Sequence, residues 1–88
     1  MHFSLDIVNE KGLHARASAK FVETVERFDA RATVSRDGME VSGDSIMGLL
    51  MLAAGIGTSI EVTVEGAESE QLAAALRALV ENRFGEPT

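Results

Sequence analysis

Ile60, Val62 and Val64 alternate with Glu61, Thr63 and Glu65, and a period of two with one apolar side is the pattern of a strand that buries one face and wets the other. Any fold for this chain must give that strand a sheet and an apolar layer to cover it. The alternation recurs over His2–Val8, where Phe3, Leu5 and Ile7 are set against His2, Ser4 and Asp6. It recurs again from Arg31 to Arg36 through Ala32 and Val34. Asp37-Gly38 follows, a dipeptide that tolerates the positive φ of a tight hairpin turn, and Met39 and Val41 continue the buried face. The second and third strands therefore form a hairpin.

Between these strands the period changes. Ser18, Phe21, Val22, Val25 and Phe28 lie three and four residues apart, which predicts a helix packed on one side from Ala15 to about Arg27. Ser42-Gly43-Asp44-Ser45 is a capping cluster ahead of the apolar run Ile46–Ala54, which we read as a short helix capped by Ser45, with Asp44 as competitor. Leu49, Leu52 and Ala53 are expected in the core and Met47 at the surface. Gly55-Ile56-Gly57 breaks the run, and Leu72, Ala75, Leu76, Leu79 and Val80 mark a last helix, with Glu68 and Glu70 in its first turn. Gly85-Glu86-Pro87-Thr88 reads as a loose tail. The order is βαββαβα, an α+β arrangement: a four-stranded, mostly antiparallel sheet with three helices on one face and water on the other.

Composition narrows what such a domain does. With 88 residues, one domain over 1–88 is expected. Cysteine is absent and there are only two histidines, so no disulfide, metal or other cofactor is expected. The start Met1-His2-Phe3-Ser4-Leu5-Asp6 lacks a secretory pattern and no segment reaches membrane-spanning length, so a cytoplasmic protein without membrane insertion is expected. The net charge of −6, with scattered Lys and Arg, lacks the footprint of a nucleic-acid binder and points to protein partners.

His14 stands where the first helix begins, and helix starts leave backbone N–H groups unpaired. The field there attracts anions and disfavours a positive imidazolium, and a neutral ring nitrogen is a nucleophile able to take a phosphoryl group. Arg16 adds a planar, permanently charged fork suited to phosphate oxygens. In the alternative reading His14 only caps the helix, Leu13 packs as a hydrophobic staple, and the chain is a non-catalytic binding module docking through its short apolar helix. His2, on the polar face of the first strand, reads as a solvated histidine without a neighbouring carboxylate.

Gly12-Leu13-His14-Ala15-Arg16 resembles the active-site motif of HPr, the histidine phosphocarrier family of the bacterial phosphoenolpyruvate-dependent phosphotransferase system. Ser45-Ile46-Met47-Gly48-Leu49-Leu50 matches a second signature, and Gly57-Thr58 and Val64-Glu65-Gly66 extend the likeness over the whole chain. The resemblance implies an open-faced β-sandwich acting as a monomeric transferase component rather than a stand-alone enzyme. It implies that Nδ1 of His14 accepts a phosphoryl group from phosphorylated enzyme I and passes it to an enzyme IIA histidine, in sugar uptake or a nitrogen-type regulatory relay. It assigns phosphate stabilisation to Arg16 and partner docking to Ile46, Met47 and Leu50, with Ala15 and Lys20. It also makes Ser45 a candidate for regulatory phosphorylation by an HPr kinase/phosphorylase. Two departures stand out: Ala17 replaces the usual proline, and Glu23 and Glu26 replace basic residues that commonly meet the partner.

Overall fold

The computed structural model describes residues 1–88. Its elements are β1 His2–Asp6, α1 Ala15–Glu26, β2 Arg31–Arg36, β3 Met39–Ser42, α2 Ile46–Met51, β4 Ser59–Glu65 and α3 Ser69–Glu81. The strands form one sheet in the order β1-β4-β2-β3, with every neighbouring pair antiparallel. The strand with the clearest alternation, β4, is hydrogen-bonded on both sides. Because β1 and β2 flank it, they run parallel to each other and need a crossover, which α1 supplies. By the same logic β3 and β4 flank β2, and α2 makes their crossover.

Phe3, Leu5, Ala32, Val34, Ile60, Val62 and Val64 project from one sheet face, and Phe21, Val22, Val25, Leu49, Leu72, Leu76 and Val80 meet them from the helices in one continuous core. The expected α+β fold is the one observed. The hairpin is the expected tight one: Arg36 faces Met39, and the two residues between them, Asp37 and Gly38, have φ of 51° and 81°.

Four local expectations are corrected. Met39 is exposed although its alternation placed it inside, because β3 is an edge strand and its first residue lies beyond the cover of the helices. The short helix ends at Met51 rather than Ala54, and Ala53, at φ 50°, is exposed instead of buried. Arg36 Nη1 donates to the Leu52 carbonyl (2.9 Å) at this helix end. His2 does have a carboxylate neighbour: its Nε2 pairs with Glu61 (2.9 Å) and its Nδ1 with Thr63 Oγ1 (2.9 Å) across the β1–β4 register. Ser4 Oγ also donates to Glu61, and this bond, followed by the one from His2, holds the Glu61 carboxyl below its ordinary value.

The fourth correction concerns the tail. Arg83, Phe84 and Gly85 take φ of 56°, 54° and 78°, turning the chain sharply after α3. Phe84 is completely buried in the core, and Lys20 Nζ donates to its carbonyl (2.6 Å). Burying one such aromatic side chain is worth about 1.5–3 kcal/mol, which offsets part of the cost of holding two non-glycine residues in the left-handed region. Glu10 N–H then donates to the Thr88 carbonyl (2.5 Å), so the last residues lie against the loop before α1 instead of trailing into solvent.

Candidate functional site

The site is built where the β1–α1 loop, the start of α1 and the returning tail converge. Gly12, at φ 68°, lets the loop pass so close to the α2–β4 connection that a Cβ there would stand 2.6 Å from the Ala54 carbonyl oxygen. The next residue, Leu13, donates its N–H to that same carbonyl (2.9 Å) and buries its side chain. Ser18, fully buried, donates its hydroxyl to the Leu13 carbonyl (3.2 Å) and its N–H to the His14 carbonyl (2.8 Å). The backbone around His14 is thereby fixed from both sides.

His14 occupies the cap position of α1 in extended conformation, and its side chain makes no capping hydrogen bond. This removes the reading in which the ring merely caps. The N–H groups of Ala15, Arg16 and Ala17 have no partner within the chain and open toward the same end of the helix. Ala17, where a proline would have removed a donor, retains its N–H while its methyl group is fully buried. Arg16 is exposed and forms no ion pair, leaving its guanidinium free for an anion.

The imidazole is not free on both sides. Its Nε2 is hydrogen-bonded to Glu86 Oε2, and the other oxygen of Glu86 accepts from Asn9 Nδ2 (3.0 Å). Asn9 is 0% exposed and donates as well to the Gly12 carbonyl (2.8 Å), so one buried amide ties the tail to the loop that carries His14. The bond from Asn9 holds the Glu86 carboxyl below its ordinary value; partial burial opposes this, and His14 and Lys11 reinforce it. Asn9, Glu86 and the tail were missed in the sequence. Asn9 appeared only as turn composition, and one phenylalanine in a short polar stretch carries no periodic signal that it is buried.

Around the ring, Lys11, Ala15, Arg16, Glu86, Pro87 and Thr88 line an open recess with His14. On the ring's other side a shallower recess brings His14 together with Leu50 of α2. Met47 is 69% exposed and Ile46 is also at the surface, while Leu50 is half-buried. Met51, 63% exposed and one helical turn after Met47, adds to this apolar surface and was not singled out in the sequence. Lys20 is half-buried, with its ammonium committed to the Phe84 carbonyl. Glu23 and Glu26 are exposed.

Ser45 lies at the start of α2 and accepts the Gly48 N–H on its hydroxyl oxygen (3.0 Å). It is the cap, and its competitor Asp44 is occupied in accepting from Ser42 Oγ (2.6 Å). No group of His, Asp and Glu side chains is arranged to hold a metal ion, and no helix is long and apolar enough to cross a membrane.

Comparison with known proteins agrees with this arrangement. The family model described as the PTS HPr component phosphorylation site matches residues 1–82. The chain is 44% identical to the phosphocarrier protein HPr of Xylella fastidiosa, over 100% of this chain and 99% of that one. It is 46% identical to the phosphocarrier protein HPr of Cupriavidus necator, covering 91% and 90% of the two chains. The crystal structure of HPr-C-His from Thermoanaerobacter tengcongensis superposes with a TM-score of 0.94 at 35% identity, covering 100% and 99%. With a phosphorylation-site model spanning most of the chain and full-length relatives at this identity, the chain belongs to the HPr family of phosphotransferase-system phosphocarriers.

Proposed function

We propose that His14 accepts a phosphoryl group on Nδ1 from phosphorylated enzyme I and delivers it to a histidine of an enzyme IIA domain, in sugar uptake or in a nitrogen-type regulatory relay. The observation that carries this reading is the division of labour on one ring. Nε2 is occupied by Glu86, while the unpaired N–H groups of Ala15, Arg16 and Ala17 and the free guanidinium of Arg16 gather at the same helix start. Phosphoryl transfer between histidines asks a carrier mainly for alignment and for positive groups around the phosphate oxygens. Arg16 and the helix start supply the second.

In this reading residues 1–88 act as one cytoplasmic, monomeric domain, a transferase component that needs its partners to turn over. Ile46, Met47 and Leu50, with Ala15 and the stem of Lys20, form the docking surface, and methionine suits a patch that fits several partners in turn. Ser45 is the regulatory site: a phosphate there, on the kinase-modified protein, would add roughly −1.5 to −2 charge beside that patch and weaken the approach of enzyme I.

Incubation with enzyme I and phosphoenolpyruvate tests the reading. An acid-labile phosphate on the parent, absent from His14→Ala, and its loss on adding an enzyme IIA domain are the expected results. A parent protein that takes no label refutes it.

A further inference from the structure

The chain holds four methionines and none of them is in the core: Met1, Met39, Met47 and Met51 are all exposed, while the buried cluster is built from other apolar residues. Methionine more often fills gaps in interiors, where its sulfur is shielded. With cysteine absent, these side chains carry all of the chain's sulfur, and no thiolate competes with them for an oxidant.

Two of the four stand together. Met47 and Met51 are four positions apart on α2, which puts their side chains on one face with Cβ atoms about 5–6 Å apart. They are the most exposed large apolar side chains of the molecule. Leu50, three positions after Met47, shares a recess with His14. A protein that brings its own histidine up to His14 therefore covers this face of α2. The helix itself is held by other groups: Ser45 caps its start, Leu49 is buried beneath it, and Arg36 binds the Leu52 carbonyl at its end. A change at the two sulfurs alters the surface and leaves the element folded.

We propose that Met47 and Met51 form a reversible oxidation site through which peroxides weaken partner docking. The inference rests on the reading of α2 as the docking surface for phosphoryl transfer to and from His14, and adds a control acting on that surface.

In the forward step the sulfur lone pair of each thioether attacks the outer oxygen of a hydroperoxide. The S–O bond forms as the O–O bond breaks, the hydroperoxide's proton passes to the leaving oxygen, and water or an alcohol departs. Sulfur is oxidised to the sulfoxide and the peroxide is reduced. The return step consumes a dithiol through methionine sulfoxide reductases: two thiols become a disulfide, and the oxygen leaves as water. While it lasts, the sulfoxide puts a polar acceptor where an apolar, adaptable tip had been. Buried against a partner's apolar surface that oxygen loses its water and gains no donor, so docking weakens.

The test treats the protein with hydrogen peroxide, locates the added oxygens by peptide mass spectrometry, and follows phosphoryl acceptance from phosphorylated enzyme I by stopped-flow. Each protein is compared with its own untreated sample, so the basal effect of a substitution cancels. In the parent, Met47 and Met51 should each gain one oxygen, and KM should rise about tenfold with kcat nearly unchanged. The urea midpoint should stay parental, because the core contains no methionine. Reductases for both sulfoxide epimers, with dithiothreitol, should restore KM. The double variant Met47→Leu, Met51→Leu keeps apolar tips without sulfur, and its KM should not respond to peroxide, whereas Met39→Leu should respond as the parent does. An oxidised parent with unchanged KM overturns the proposal, as does unfolding on oxidation, a KM that stays high after the sulfoxides are reduced, or a double variant that responds like the parent. Sulfurs at Met47 and Met51 that stay unoxidised while Met1 or Met39 reacts overturn it too. A parent that accepts no phosphate on His14 before treatment fails the underlying reading instead.

Discussion

The buried amide of Asn9 donates to Glu86 Oε1 at 3.0 Å, joining the loop before α1 to a tail 77 positions further along the chain. This bond is the first cause of the lowered Glu86 carboxyl, and it makes the tail sensitive to acid. A carboxyl whose folded value lies below its unfolded one contributes stability that is present above the ordinary value of 4.5 and is lost as pH falls through the lowered folded value. Urea unfolding followed from pH 7 down into the acid range should therefore show a steeper loss for the parent than for Glu86→Gln. Parallel curves would contradict the linkage.

Gly12→Ala should destabilise the chain by roughly 1–3 kcal/mol, because alanine is strained at positive φ and its methyl group would be driven against a backbone oxygen that cannot yield. A lowered urea midpoint with an unchanged slope is the expected signature. His14 should also lose protection in the parent-like folded fraction, since Gly12 and Leu13 hold its backbone in place.

These sites differ in how far the sequence reveals them. Strands and helices were legible because Ile60–Val64 and Phe21–Val25 write their burial as a period. His14, Arg16 and Ser45 stood out as candidates because short motifs at fixed separation carry them, and their roles are those proposed above. The His2 to Glu61 pair was not, since it depends on the register between β1 and β4, which no single strand encodes. Nor was the tail. Its fold hangs on one buried aromatic ring and three left-handed residues, only one of them glycine, so the local sequence argued for disorder while tertiary packing decided otherwise. Met39 failed for a related reason, as alternation tells which side a residue faces and not whether a helix covers that end of the strand.

Ser45→Ala removes the cap of a six-residue helix and should cost about 1 kcal/mol. The Gly48 amide, which loses its acceptor, should exchange faster than the amides of β4 in the same sample. Unchanged exchange at Gly48 would show that the hydroxyl bond contributes little to α2.

Met47 separates docking from folding. At 69% exposed its replacement by alanine should alter stability by less than about 0.5 kcal/mol. If it contacts enzyme I, Met47→Ala raises KM for phosphoryl acceptance with kcat preserved. A stability loss without a change in KM would place it in the core economy of α2 and outside the interface.

The most direct test of the account is the atom that carries the phosphate. Phosphorus-31 and nitrogen-15 NMR of the protein after treatment with enzyme I and phosphoenolpyruvate should show a phosphoryl group on Nδ1 of His14, with the proton on Nε2 still bonded to Glu86. A phosphoryl group on Nε2, which would have to displace Glu86 from the ring, would contradict it.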